Sequence, residues 1–396
     1  MKTDLDLAVI GGGASGALAA LGARRAGFAG SITIFEKEEE PFRKILASGN
    51  GRCNLANYSA AEGRYHGENP GFALDILSRF PARFITGLFE EMGLLTLEDK
   101  EGRLYPRSLQ ARSVALILEE ALKEERIVLS YPSLAEEVVK KDGHFQIRLA
   151  GNQSVRSRAL ILAGGGMASP QLGGSGLPLA MLESLGHRTK TPVPALVPLL
   201  VPDHALTRYA QGVRFRGRAL LQAGNGQSRL SEGEFLIASY GLSGIAAMEL
   251  GSLVSRSPGK LEIDFLPERE EAFIQKILAG KDSRPALSGL VPDKIGRALL
   301  ILSDREGIPL HRLIKRLVLP VTGNRGFDFA QVAAGGVLTE DFDPDTLMSK
   351  IQDGLFACGE ILDIDGDTGG FNLLWAFSSG YLAGRSAALY LMGDKS

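Results

Sequence analysis

The feature that most constrains this chain is Gly11-Gly12-Gly13-Ala14-Ser15-Gly16. It lies between the apolar run DLAVI (residues 6–10) and the Ala/Leu-rich stretch ALAALGARRAG. The apolar run reads as a buried parallel strand, and the stretch after the glycines has helical spacing. A second apolar run, SITIF (residues 31–35), ends at Glu36. Strand, glycine turn, helix, strand and acid within about thirty residues open a dinucleotide-binding βαβ unit. Gly11 permits the tight turn, Gly13 lets a pyrophosphate approach the backbone, and Gly16 lets the helix pack on the sheet. Ala14 and Ser15 stand at the helix start, whose unpaired N–H groups and positive dipole end suit phosphates. Glu36 is placed to accept from ribose hydroxyls, and its charge disfavours a 2′-phosphate. The motif alone admits FAD or NAD.

A chain of 396 residues exceeds one ordinary core, so two or three domains are expected. The net charge of −2 creates no global field toward nucleic acid or an anionic membrane. Cys53 and Cys358 form no Cys-x-x-Cys pair, which argues against a disulfide framework and a dithiol redox centre. The longest apolar runs are about half the length that crosses a bilayer. The first strand begins by Leu5, leaving no room for a leader. The expectation is a cytoplasmic enzyme with a small-molecule substrate and no nucleic-acid or membrane partner. It would be a monomer or small homo-oligomer.

With five residues between, Glu36 and Lys37 are followed by RKILASGNGRCN (residues 43–54). It reads as a loop able to wrap a flavin. Arg43, Lys44 and Arg52 supply cations, and Ser48, Gly49, Asn50, Gly51 and Asn54 are small or turn-forming. Cys53 within it reads as a packed small residue. Residues 159–163 (ALILA) read as a third strand, and Ala163-Gly164 as the turn that returns the chain beneath the dinucleotide. A helix should then end at Gly186-His187, with His187 capping or packing. Ala135 and Gly336 complete the expected cofactor contacts.

The C-terminal segment separates FAD from NAD. A short strand leads into Gly359-Glu360, then Asp363, Asp365 and Asp367, then Gly369-Gly370-Phe371-Asn372 and a helix over residues 372–392. Asp363 would place a carboxylate near a ribityl chain or diphosphate. The helix start would face the flavin, and its dipole favours the negative charge a reduced flavin carries. Three alternating aspartates suggest Ca²⁺, but the bidentate Glu of an EF-hand does not follow, so no metal is expected. Trp375 reads as packing against the sheet.

ILASGNGRCNLAN, LAGGGMASPQLGGSG, PVTGNRGFDFAQVAAGGV and GLFACGEILDIDGDTGGFNLLWAFSSGYLAG together resemble the bacterial BaiN/YhiN-type NAD(P)/FAD-dependent oxidoreductases. These include aminoacetone oxidases and flavoproteins linked to bile-acid reduction. The resemblance runs from residue 6 to about 390. It implies an α/β, Rossmann-like FAD-binding domain in two sequence segments, with inserted β-barrel and small helical domains. The boundaries read as 1–189 and 334–396 for the FAD domain, 190–265 plus 317–333 for the barrel, and 266–316 for the helical insert. β-like stretches (196–201, 218–222, 260–265) and charged helical patterns agree with this, and residues 322–329 should return toward the flavin fold. The chain departs from the resemblance at Ala163, at Leu177-Pro178 where Asp-Gly is usual, and at Asn50 where Gly is usual.

On the substrate side, Arg103 and Arg107 are candidates to bind a carboxylate or phosphate, and Tyr105 to donate a proton. The same segment also reads as a structural turn. Tyr65, His66 and Tyr240 are further candidates, and no general base stands out. Hydride transfer needs a C–H held against the ring face, so positioning carries much of the rate. Three readings stay open. The first is a reductase or dehydrogenase with permanent FAD and NAD(P)H as a transient donor, since the chain has one dinucleotide fingerprint. The second is an oxygen-using oxidase of small amines. The third is a non-catalytic flavin-binding redox sensor.

Overall fold

A computed structural model describes residues 3–59, 63–280 and 283–393. The chain forms two units: residues up to Pro192 with those from Ala333 onward, and Val193–Val332. Among the described residues no helix is long and apolar enough to cross a membrane.

The first unit is built on β1 (Thr3–Ile10), α1 (Ala14–Arg25), β2 (Ile32–Phe35), α2 (Arg43–Gly51), β3 (Val128–Ser130), β4 (Gln153–Leu162), β5 (Leu355–Ala357) and α3 (Phe371–Met392). Its parallel strands run in the order β3-β2-β1-β4-β5. The register sets Leu7 beside Ile32 and Ala159, and Ile10 beside Phe35 and Leu162. Leu7, Val9, Ile32, Ile34, Leu160 and Ile161 are buried, as strands covered on both faces require. The glycine loop leaves the C-terminal end of β1, where ligands of such sheets bind.

β4 is longer than residues 159–163 suggest. Its first half pairs antiparallel with His144–Leu149, half of a hairpin with Ala135–Lys141. Its last residues, Leu160–Leu162, pair with β5. One strand thus serves two partners along one edge. The polar first half, QSVRSR, carries no continuous apolar run to announce it.

α1 and α3 pack backbone to backbone. A Cβ on Gly384 would lie 1.7 Å from the Ala19 carbonyl oxygen, and one on Gly380 would lie 2.3 Å from that of Ser15.

The second unit holds a seven-stranded antiparallel sheet. Its path runs Leu317–Val321, Gly259–Asp264, Arg214–Ala223, Ser228–Ala238, Gly241–Ser243, Leu199–Leu200 and Gly323–Asn324. The first and last strands are separated in sequence only by Thr322, so the sheet curls round into a barrel. Alternation sets its inner face: Leu261 and Ile263 are buried beside more exposed Lys260 and Glu262. Glu271–Leu278, Ser283–Ser288, Asp293–Glu306 and Leu310–Lys315 form the helical insert. Ile295, Leu299 and Leu302 join Phe235, Ile237 and Leu319 in one core. Three short helices, Ala205–Tyr209, Ile245–Met248 and Gly251–Arg256, lie between the β-like stretches of the barrel segment. Residues 322–329 do not return toward the flavin fold. They stay in the second unit because Gly323–Asn324 pairs with Leu199–Leu200.

Candidate functional site

The glycine loop is shaped by what surrounds each position. Gly11 has φ +112°, and a Cβ there would sit 2.4 Å from the Ala163 carbonyl oxygen. At Gly16 it would sit 1.9 Å from the Gly11 carbonyl oxygen, and at Gly12 2.8 Å from the Glu36 Cβ. Gly13 differs, because nothing lies within 4 Å of its Cβ position. Gly13 is also the N-cap of α1, with no side-chain cap and no acid in the first turn. The end of α1 therefore offers donors to an anion. Ala14 opens the helix, and the buried Ser15 hydroxyl reaches the Ala163 carbonyl at 3.5 Å.

Glu36 follows β2. Its Oε2 accepts from the Gly12 N–H at 2.7 Å and its Oε1 from the Glu38 N–H at 2.9 Å. The carboxylate is fixed beside the loop and keeps lone pairs for a hydroxyl donor. The Ser133 N–H donates to the Glu36 carbonyl at 2.6 Å, and two residues on, buried Ala135 pairs with Leu149.

The C-terminal segment meets this loop. Gly359 has φ +78°, and a Cβ there would fall 2.7 Å from the Ser15 Oγ. Trp375 pins the same turn, with Nε1–H donating to the Gly359 carbonyl at 3.1 Å. Glu360 accepts from Lys44 Nζ at 2.9 Å and from the Ala333 N–H at 2.8 Å. Gly336 has φ +147° and passes close over the Ile361 carbonyl. Ala163 N–H donates to the Ile10 carbonyl at 2.9 Å. A Cβ on Gly164 would lie 2.3 Å from Pro178 Cγ, so the Leu177-Pro178 departure seats a helix start against this turn.

Two buried oxygens here lack partners. Asp363 is buried; its Oδ2 accepts from the Glu68 N–H at 3.0 Å and lies 3.5 Å from Lys190 Nζ, while its Oδ1 has no hydrogen bond. The second orphan is Asn54 Oδ1. It lies against the start of α3, 2.6 Å from where a Gly370 Cβ would be. Gly370, at φ +98°, caps α3 with no side-chain bond. Buried polar atoms left unpaired are costly. A group bearing hydroxyl and N–H donors, such as a ribityl flavin, fits both.

Other expected residues are engaged within the protein. Asn372 spends its side chain on the Gly366 N–H and carbonyl, both at 2.8 Å, holding the loop before α3. The buried Phe371 carbonyl accepts from the Tyr65 hydroxyl at 3.1 Å. Asp367 is held by His66 Nε2 at 2.7 Å and Arg64 at 3.3 Å. Asp363 and Asp367 thus have separate partners, and among the described residues no metal-ligating cluster forms.

Residues 43–54 are not the open loop the sequence suggested. Arg43–Gly51 is a kinked helix anchored by buried Ile45. It breaks at Ser48 (ψ 150°), and Gly49 and Asn50 are left-handed. Asn50 thus occupies a turn position. Gly51 is also left-handed, with open space where its Cβ would be. Lys37 (3.6 Å) and Arg43 both pair with Glu38, and Arg43 also donates to the Gln171 carbonyl at 2.8 Å. The Arg52 guanidinium lies 5.3 Å from the Tyr105 ring centre. Burial pushes the Cys53 and Cys358 thiols up to about 12, so both are packing residues.

The Arg103–Arg107 segment favours the structural turn. Arg103 is committed to Asp99 at 2.7 Å and Glu101 at 2.9 Å. Tyr105 is buried in the strand Arg103–Pro106, and Arg107 is exposed. His187 is buried, bonded to the Leu182 carbonyl at 3.0 Å and to Ser349 Oγ at 2.7 Å. Lys190 was missed from sequence, because only the fold brings it to Asp363.

Fold and site define a Rossmann-type flavoprotein with one dinucleotide cradle. Residues 5–386 match the HI0933-like protein Rossmann domain, and the chain belongs to that family of FAD-binding oxidoreductases. It is 38% identical to the 3-dehydro-bile acid delta(4,6)-reductase of Clostridium scindens, over 96% of this chain and 98% of that one. It is 27% identical to the ribosomal RNA dihydrouridine synthase of Escherichia coli, over 95% and 96%. Among solved structures, the 3-ketosteroid-delta4-(5alpha)-dehydrogenase of Rhodococcus jostii RHA1 shares its fold. There the TM-score is 0.53 at 14% identity, covering 98% of this chain and 97% of that one.

Proposed function

We propose that this protein is a flavin-dependent reductase that takes hydride from a reduced nicotinamide and gives it to a conjugated carbon–carbon double bond of a small ketone. The observation that carries this is the pair of uncapped helix starts, at Gly13 and Gly370, in one unit. The chain's likeness to a reductase along nearly its whole length supports the direction. FAD, when bound, supplies the two-electron acceptor and donor between the two substrates. The α1 start would hold the diphosphate, Glu36 the ribose, Asp363 Oδ1 a ribityl hydroxyl, and the α3 start the pyrimidine edge of the flavin. That last contact favours the reduced, anionic form. Lys44 and Glu360 neutralise each other, so neither stands as an uncompensated charge beside the cofactor.

In the net reaction the nicotinamide loses a hydride, and the double bond gains that hydride plus one proton. The test is anaerobic mixing of the FAD-loaded protein with NADH, NADPH and aminoacetone in turn. Bleaching by a nicotinamide, followed by anaerobic recovery with a 3-oxo-Δ4 steroid, is expected. Bleaching by the amine alone, with peroxide on admitting air, would establish an oxidase instead. No bleaching by any of them would leave a non-catalytic flavin protein.

A further inference from the structure

Arg325, in the second unit, is held unlike any other arginine described. Its guanidinium carbon lies 4.5 Å from the Tyr240 ring centre and 3.3 Å from that of Phe329. No other arginine among the described residues lies over two rings. The surroundings build this clamp. The Arg325 backbone N–H donates to the Pro198 carbonyl at 3.1 Å. Asn324 donates to Ser255 Oγ at 2.6 Å and accepts from the Gly326 N–H at 2.9 Å. Gly326, at φ +74°, starts the turn Phe327–Phe329 that sets Phe329 over the guanidinium.

Several other arginines of the same unit meet carboxylates, such as Arg218 with Glu232 at 2.8 Å and Arg316 with Glu262 at 3.0 Å, and Arg269 and Arg297 each lie over a single ring. Arg325 meets none among the described residues. Ring faces attract the cation but do not take its N–H groups, which lie in the guanidinium plane. A guanidinium stacked on rings therefore presents an edge of donors. That edge matches two oxygens of a carboxylate or phosphate in bidentate fashion.

We propose that Arg325 is an anion-recognition site whose ligand is a carboxylate or phosphate. A steroid-type carboxylate and a nicotinamide phosphate share this chemistry, and a binding comparison tells them apart. The choice of these two sources rests on the reductase reading, but the site itself does not.

Two measurements on the FAD-loaded protein test it. The first follows the arginine Nε–H NMR signal that Arg325→Gln removes. Titration with pyrophosphate or with a steroid carboxylic acid should shift it. If neither shifts it, the proposal is overturned, whether or not the protein reduces any substrate. The second compares binding of the steroid acid, its methyl ester and NADPH. A charged hydrogen-bonded pair changes affinity by about tenfold to a hundredfold. Arg325→Gln should weaken either the acid or NADPH by that factor, and which one weakens names the source. If the acid is the ligand, the acid-over-ester preference should fall toward one. Arg325→Lys should lose less, keeping charge without the planar fork. Phe329→Leu, at a residue 45% exposed, should weaken the same ligand without touching the arginine. If all three ligands bind each variant as they bind the wild type, the clamp is packing alone and the proposal fails.

Discussion

Gly12 and Gly13 are neighbours and are glycine for opposite reasons. A methyl at Gly12 would strike Glu36, whereas one at Gly13 would meet open space. Gly13 also has an ordinary φ of −90°. Gly13→Ala should therefore leave apoprotein stability within about 0.5 kcal/mol. It should still weaken FAD binding tenfold or more, because the methyl would occupy the path of the diphosphate. Thermal melts of the apoprotein and an FAD titration check both halves. If affinity is unchanged, the diphosphate does not pass there. The thiols give a second residue-scale prediction. Cys53 and Cys358 rise from 9.0 to about 12 on burial. A raised folded value means their contribution is complete below about pH 9 and is lost as pH climbs toward 12. Both should resist alkylation at pH 8 in the native protein and react on unfolding. Fast labelling of either in the native state would refute the packing assignment. The glycine pattern and Glu36 were legible in the sequence because each task is local. Asp363's orphan oxygen and its contact with Lys190 were not, since they depend on chain segments that meet only in the fold.

At the scale of elements, α1 and α3 matter most, because both begin where a dinucleotide would lie. α1 and the middle of α3 are held together by backbone contact that only glycine permits, at Gly22, Gly380 and Gly384. Gly384→Ala would place a methyl against the Ala19 carbonyl and push the helices apart. Overpacking of this kind costs about 1–3 kcal/mol, and the backbone obstacle puts this case at the upper end. The denaturant midpoint should drop accordingly, and FAD affinity should fall with it, though no altered side chain reaches the cofactor. A Gly384→Ala protein with normal stability would show that the helices adjust freely. The sequence revealed each helix, through its glycine start and apolar length, but not their pairing. It also missed the helical turn at residues 43–47, ahead of the break at Ser48. There the glycines and Asn50 signal a loop, while burial of Ile45 secures the helix ahead of the break.

At the scale of the whole molecule, the chain builds two cores. One centres on the parallel sheet with α1 and α3, and the other on the barrel with helix Asp293–Glu306. Every group assigned to FAD lies in the first: Gly13, Glu36, Asp363 and the start of α3. A ligand that binds only the folded form of one unit stabilises that unit by RT ln(1 + [L]/Kd), about 4 kcal/mol at a thousandfold excess over Kd. Calorimetry of the apoprotein should therefore resolve two transitions, and saturating FAD should raise one of them. Proteolysis during the melt identifies which, because fragments from Val193–Val332 should appear at the unshifted temperature. If FAD raises both transitions equally, the units fold as one cooperative body, and the second contributes to holding the cofactor. If it raises only the transition of the barrel unit, the assignment of the cradle to Gly11–Gly16 and the start of α3 is wrong.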